Sequence, residues 1–152
     1  MQAIRDHAEI RADAEKLADI FTTLERCFLM NLSRELARGK VSFPQYFLLG
    51  FLAQQKFLTM SEIALKMGHT TAAATGLVDR LENLGYARRI HDSEDRRKIM
   101  VEITESGLSL VAGIREDMID GVMRLMVHLS VDEQKAWLQI YEKVMTVWNV
   151  CK

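Results

Sequence analysis

At 152 residues the chain is long enough for one well-buried domain, or for a small domain with extended helices. Apolar content of 49%, charged content of 27%, a single proline and eight glycines describe a soluble globular protein of long helices with few irregular loops, not a low-complexity chain. A net charge of −1 does not advertise nucleic acid, so any basic surface has to be local.

From about His7 to Ala37 apolar residues fall at Ile10, Ala14, Leu17, Phe21, Leu24, Phe28, Leu32 and Leu36, a near-heptad stripe. A helix that long cannot bury its stripe inside so small a domain, so part of it is expected to meet another subunit. Arg38, Gly39 and Lys40 end it. The next helix, roughly Phe43 to Gln54, carries Pro44 in its first turn, where a missing N–H leaves no bond unmade. Phe57 and Leu58 are expected to form a short strand available to close a sheet. Thr59 and Glu62 then have capping-box spacing, and Ile63, Ala64 and Met67 face inward before Gly68 stops the helix.

Residues 70–104 carry the chemistry. Thr70 or Thr71 can cap a helix that ends at Gly85, where a left-handed residue belongs. Ala74, Leu77, Val78, Leu81 and Leu84 recur at helical spacing and are expected inside, which leaves Thr71, Ala72, Thr75, Gly76, Asp79, Arg80 and Asn83 toward solvent. A solvated face normally carries long Glu and Lys side chains, whereas the first two turns here offer only Thr, Ala and Gly. Such residues let another surface approach the backbone closely, and Thr can meet phosphate, a base edge or a thymine methyl. They equally suit a helix packed on its own domain. The runs 86–91 and 98–104 are β-prone, with turn chemistry between them, and Arg88, Arg89, Arg96, Arg97 and Lys98 stand against Asp92, Glu94 and Asp95. Helix, turn, helix and basic hairpin in that order are the layout of a winged helix-turn-helix.

Thr104 caps a further helix from Glu105 to about His128, striped by Leu108, Val111, Ile114, Met118, Val122 and Leu125. Ser130 and Glu133 form a second capping box, opening a last helix with Trp137, Ile140, Tyr141, Val144, Val147 and Trp148. The fold expected is mainly α with a small β-wing. It is one domain over 1–152, with a winged core at 43–104 and dimerisation helices at 1–40 and 105–152. Apolar helices at both ends suggest an intertwined two-fold dimer.

Cys27 and Cys151 are too few for a disulfide framework, no signal-like segment opens the chain, and no apolar run approaches membrane-spanning length. A reducing cytoplasm and no membrane partner are therefore expected. His7, His69, His91 and His128 are dispersed without metal-ligand spacing. No nucleophile elbow, phosphate loop, paired carboxylate site or cofactor motif points to an enzyme.

The segments T-M-S-E-I-A-L-K-M-G, T-G-L-V-D-R-L-E-N-L-G, D-S-E-D-R-R and I-T-E-S-G, in this order and at these spacings, resemble the MarR family of transcriptional regulators, and the likeness runs over essentially the whole chain. The resemblance implies a dimer that binds a pseudo-palindromic operator in double-stranded DNA, usually as a repressor released by a small ligand. It places recognition-helix contacts on Thr70, Thr71, Ala72 and Thr75, to which the residues themselves add Arg80. It places wing contacts on Arg96, Arg97 and Lys98. The family's wing pattern, Asp-x-Arg-x-x-Arg, falls here on Asp92, Glu94 and Arg97, so glutamate stands where the middle arginine is usual. An anion there is repelled by phosphate. Either Arg96 or Lys98 takes the arginine's place, or Glu94 holds a neighbouring arginine; Asp95 with Arg97 is expected to order the wing. Phenolic or other aromatic effectors are implied near Met30, Arg34, Tyr46, Phe47 and Leu110. Cys27, on the long first helix, is a candidate redox thiol, although Asn31 stands one turn on and free cysteine is commonly a small buried hydrophobe. The competing class is a degenerate winged helix that docks protein without reading DNA, motivated by the net charge and by Glu94.

Overall fold

The computed structural model describes residues 6–91 and 98–150, apart from the side chains of residues 27, 28, 31 and 148–150. Met1–Ile114 and Arg115–Lys152 form two compact units.

In the first unit, α1 (His7–Arg38) buries its stripe only near its end, through Leu32 and Leu36. Ile10, Leu17, Ile20, Phe21 and Leu24 stay exposed, because nothing in this unit covers them. The helix closes with Lys40 N–H donating to Ala37 O at 3.1 Å and Val41 N–H to Leu36 O at 3.0 Å. Lys40 takes the left-handed conformation (φ 57°), while Gly39 remains right-handed at φ −76°. Gly39 serves packing instead: a Cβ there would lie 2.8 Å from Leu110 Cδ1. The short helix α2 (Phe43–Gln54) starts where Ser42 N–H donates to the buried Gln45 Oε1 at 2.7 Å, and it sinks Leu48, Leu49 and Leu52 into the core.

Strand β1 (Leu58–Thr59), helix α3 (Met60–Met67), helix α4 (Thr71–Asn83), strand β2 (Ala87–His91) and strand β3 (Ile99–Ile103) follow. The sheet is antiparallel in the order β1-β3-β2. The first strand lies one residue later than Phe57–Leu58: Leu58 is buried opposite Val101, and Phe57 is left largely exposed. A two-residue strand has no alternation from which to read its register. Leu48, Leu49, Leu52, Leu58, Ile63, Val78, Leu81 and Val101 fill the centre, drawn from α2, α3, α4 and the sheet.

Helix α5 (Glu105–Met126) begins in the first unit and is anchored there. Thr104 Oγ1 donates to Gly85 O at 2.6 Å and accepts from Gly107 N–H at 3.2 Å, while Thr104 N–H donates to Tyr86 O at 3.0 Å. Gly107 is buried so close to Tyr86 that a Cβ would fall 2.2 Å from its carbonyl oxygen and 2.7 Å from Ile103 Cγ1. Hydrogen at this position is what lets α5 leave the sheet beside the end of α4.

The second unit joins the rest of α5 to α6 (Val131–Val150). Gln134 Nε2 donates to Met126 O at 2.9 Å and Leu129 O at 3.0 Å, satisfying carbonyls at the end of α5, and Ser130 with Glu133 forms the expected capping box. None of its described residues is buried. Among the described residues no helix is long and apolar enough to cross a membrane.

Gly107→Ala should destabilise the first unit by about 1–3 kcal/mol, because backbone rather than a flexible side chain must yield. Urea unfolding measures this, and an unchanged midpoint would mean that α5 can leave the sheet along another path.

Candidate nucleic-acid interface

The end of α3 and the start of α4 make the turn between the paired helices. Gly68 adopts φ 63° and ψ 32°, with Gly68 N–H donating to Leu65 O at 3.2 Å and His69 N–H to Ala64 O at 2.9 Å, so the chain reverses within one residue. Thr70 then starts α4 by accepting from Ala73 N–H through Oγ1 at 3.2 Å. Helix α3 is fixed in the same way at its own start. Thr59 N–H and Oγ1 donate to Glu62 Oε2 at 2.7 and 2.8 Å, and Thr59 Oγ1 accepts from Glu62 N–H at 3.3 Å.

Helix α4 has two faces. Ala74, Val78 and Leu81 have no exposed surface, and Leu77 and Leu84 are half-buried beside them. Opposite them Thr71, Ala72, Ala73, Gly76, Asp79, Arg80 and Asn83 are exposed. Thr75 differs from expectation in being half-buried, and its hydroxyl donates back to Thr71 O at 2.8 Å. A hydroxyl on a helix readily returns its proton to the preceding turn, so at Thr75 the lone pairs and the methyl remain for a partner. Arg80 has no ion pair among the described residues.

At the far end of α4, Gly85 N–H donates to Glu82 O and Tyr86 N–H to Leu81 O, both at 2.9 Å, with Gly85 at φ 76°. This closure folds β2 back alongside the helix. Arg88 and Arg89 therefore sit at the root of the hairpin and are engaged within the chain. Arg88 pairs with Glu102, its cross-strand partner. Arg89 pairs with Glu82, and its Nη2 donates to Asp79 Oδ1 at 2.7 Å. Asp79, Glu82 and Arg89 form a cluster that the charge pattern alone does not disclose, since residues ten apart meet only after the reversal at Gly85. Lys98 is exposed just before β3, close enough to Glu62 to help hold that carboxyl low. Asp95, Arg96 and Arg97, and Glu94 with them, lie outside the described residues.

The residues expected around an effector are scattered. Met30 lines a concavity of about 660 Å³ on α1 together with Thr22, Glu25, Arg26, Leu29, Ser33 and Phe43. Arg34 is exposed elsewhere on α1, Leu110 packs on Gly39, and Tyr46 and Phe47 have ring centroids 6.0 Å apart, with Phe47 largely exposed. The concavity thus takes in one of the five. The side chain of Cys27, and Cys151 altogether, lie outside the described residues. Among the described residues no group of three or more His, Cys, Asp or Glu could hold a metal ion.

A family model described as "MarR family" matches residues 40–98, the stretch that follows α1, takes in the paired helices and β2, and stops just short of β3. The uncharacterized HTH-type transcriptional regulator YfiV of Bacillus subtilis is 37% identical over 102 residues, which are 67% of this chain and 62% of YfiV, so this chain spans less than two thirds of that relative. The HTH-type transcriptional repressor YetL of B. subtilis is 28% identical over 146 residues, 90% of this chain and 86% of YetL. Among solved structures, the crystal structure of an S. aureus MepR-DNA complex shares the fold, with a TM-score of 0.73, 22% identity, and coverage of 86% of this chain and 98% of that one.

Glu62 gives the paired helices a pH dependence. The Thr59 N–H, then the Thr59 hydroxyl, hold its carboxyl below the ordinary 4.5. A depressed folded value contributes stability that is complete above 4.5 and is lost as pH falls through that lower value. Glu62→Gln keeps an acceptor for the cap but removes the titration. Urea unfolding of wild type and variant at a series of pH values should therefore show their stabilities converging as the solution is acidified below 4.5. A constant difference would mean that the cap is indifferent to the charge.

Proposed function

Since the chain belongs to the MarR family, we propose that it is a sequence-specific DNA-binding transcriptional regulator acting as a homodimer, with α4 entering the major groove and the β2–β3 hairpin reaching the flanking backbone. The observation that carries this is the exposed face of α4. Thr71, Ala72, Ala73 and Gly76 keep the helix slim, Thr70 and Thr71 supply hydroxyls, and Arg80 supplies a charge. Small side chains let the helix sit deep in a groove, and a charge one or two turns on meets the phosphates at its wall. Lys98 immediately precedes β3, and Arg96 and Arg97 come before it in sequence.

Dimerisation accounts for the uncovered apolar surface. Soluble monomers rarely leave large contiguous apolar patches in water. Here Leu17, Phe21 and Leu24 on α1, Val122 and Leu125 on α5, and Leu138, Val144 and Val147 on α6 are all largely exposed. A second copy of the chain offers the matching stripes. Two copies related by a two-fold axis present two α4 helices to one side of a duplex, which suits a pseudo-palindromic operator. Repression is the mode named for YetL. An apolar or aromatic effector fits the concavity beside Met30, where Leu29, Met30 and Phe43 are joined by Arg26 and Glu25.

A second reading has a specific observation in its favour: Arg88 and Arg89 are already neutralised within the chain, which leaves the net charge of −1 with little basic surface to set against it. A protein-docking winged helix would look similar. The two differ in their response to salt and to Arg80. DNA binding predicts selection of a preferred sequence from random duplexes, a log–log salt slope of about −5 or steeper, and a large loss of affinity in Arg80→Glu. Fluorescence anisotropy at several salt concentrations measures both. A shallow slope with no effect of Arg80→Glu would favour docking.

A further inference from the structure

We propose that Arg89 is a positioning residue that holds the β2–β3 hairpin at one angle to α4, so that helix and hairpin meet a duplex as a single surface; this rests on the DNA-binding reading above and assigns to Arg89 no contact with DNA.

Three contacts converge on this residue. Its guanidinium pairs with Glu82 and, through Nη2, with Asp79 at 2.7 Å; its backbone N–H donates to Glu82 Oε1 at 2.7 Å. The sheet order β1-β3-β2 makes β2 an edge strand, and Glu82 takes up the N–H of Arg89 on it. One carboxylate thereby grips both the backbone and the side chain of the same residue, while the second carboxylate fixes the remaining nitrogen of the fork. A planar guanidinium with two carboxylates defines an orientation, which a point charge does not.

The environment separates this cluster from ordinary surface pairs. The Arg89 and Glu82 side chains are 27% and 28% exposed, against 77% and 66% for the Arg11–Glu15 pair on α1. Exposed pairs such as the latter are well screened and hold little in place. Arg89 is not what makes α4 and β2 fold together. Val78, Leu81 and Ala87 are buried between helix and sheet and do that without it. What lies outside the core is the swing of the hairpin about its root, and the Arg89 fork sits on that root.

Asp79 gives the cluster a second consequence. It is one turn beyond Thr75 on α4, and half exposed. Without its partner it would place an unshielded anion where phosphate is to approach. Positioning and neutralisation are separable, because a variant can remove all three charges together.

The test uses the full chain and a duplex that the wild-type protein selects from a random pool. Arg89→Gln should lose about tenfold or more in affinity, with a salt slope shallower by about 1 for each phosphate that the hairpin no longer neutralises, and its protection of the duplex should shrink at the outer flanks while persisting in the major groove. The triple variant Arg89→Gln, Asp79→Asn, Glu82→Gln removes the repulsion and the fork together, and it should stay as weak as the single variant with a melting temperature near wild type. Arg89→Lys, which keeps the charge but lacks the planar fork that fixes an orientation, should fall between wild type and Arg89→Gln, and it keeps the test available if the glutamine variant folds poorly. Recovery of wild-type affinity and footprint by the triple variant would overturn the proposal in favour of simple neutralisation, as would wild-type behaviour of Arg89→Gln or Arg89→Lys. Failure of the wild-type protein to select any sequence is a separate outcome: it overturns the DNA-binding reading, and the proposal with it.

Discussion

The described structure depends on one constraint, that α4 buries one side completely while keeping the other free. Ala74, Val78 and Leu81 lie in the core with Leu48, Leu49 and Leu52 of α2, Ile63 of α3 and Val101 of β3. Cores pack at near-crystalline density, so a helix held by small and branched residues on three sides has one rotational setting. That setting decides which residues face solvent. Thr71, Ala72 and Gly76 are outward because Ala74 and Val78 must be inward. The left-handed glycines at 68 and 85 bring the chain into this helix and out of it without disturbing the setting. Thr104 and Gly107 then tie the start of α5 to the same exit.

Much of this is legible in the sequence because it is local. Capping boxes need only residues three apart, and Thr59 with Glu62 and Ser130 with Glu133 form as their spacing requires. The start of α2 follows from Pro44 and the apolar run behind it. The inner face of α4 follows from period alone. The family likeness rests on the same stretch, residues 40–98, in which these local signals are densest.

What the sequence does not disclose are contacts made across reversals. The hairpin arginines read as one basic cluster, yet Arg88 and Arg89 are drawn into pairs with Glu102, Glu82 and Asp79 once β2 folds back at Gly85. A charge pattern cannot say which of its cations a neighbouring carboxylate claims. The residues expected around an effector show the same limit. Met30 borders a concavity, while Leu110 is engaged with Gly39, a close approach that no periodicity foretells. Thr75 turns its hydroxyl back on the helix, a choice that depends on rotamer rather than on face. The apolar stripes of α1, α5 and α6 are plain in the sequence, and the described structure leaves them largely exposed; the proposed dimer would assign them to a second copy.

In the proposed reading a rigid recognition unit is carried on a two-fold scaffold, and the spacing of half-sites probes both at once. On a duplex selected by the wild-type protein, two half-sites centred about one helical turn apart are expected to bind a single dimer. Inserting about five base pairs between them turns one half-site to the opposite side of the duplex. Affinity should then collapse toward that for random DNA, and a further insertion completing the turn should restore part of it. Binding that is indifferent to the insertion would contradict a two-fold dimer that reads one side of the duplex through paired α4 helices.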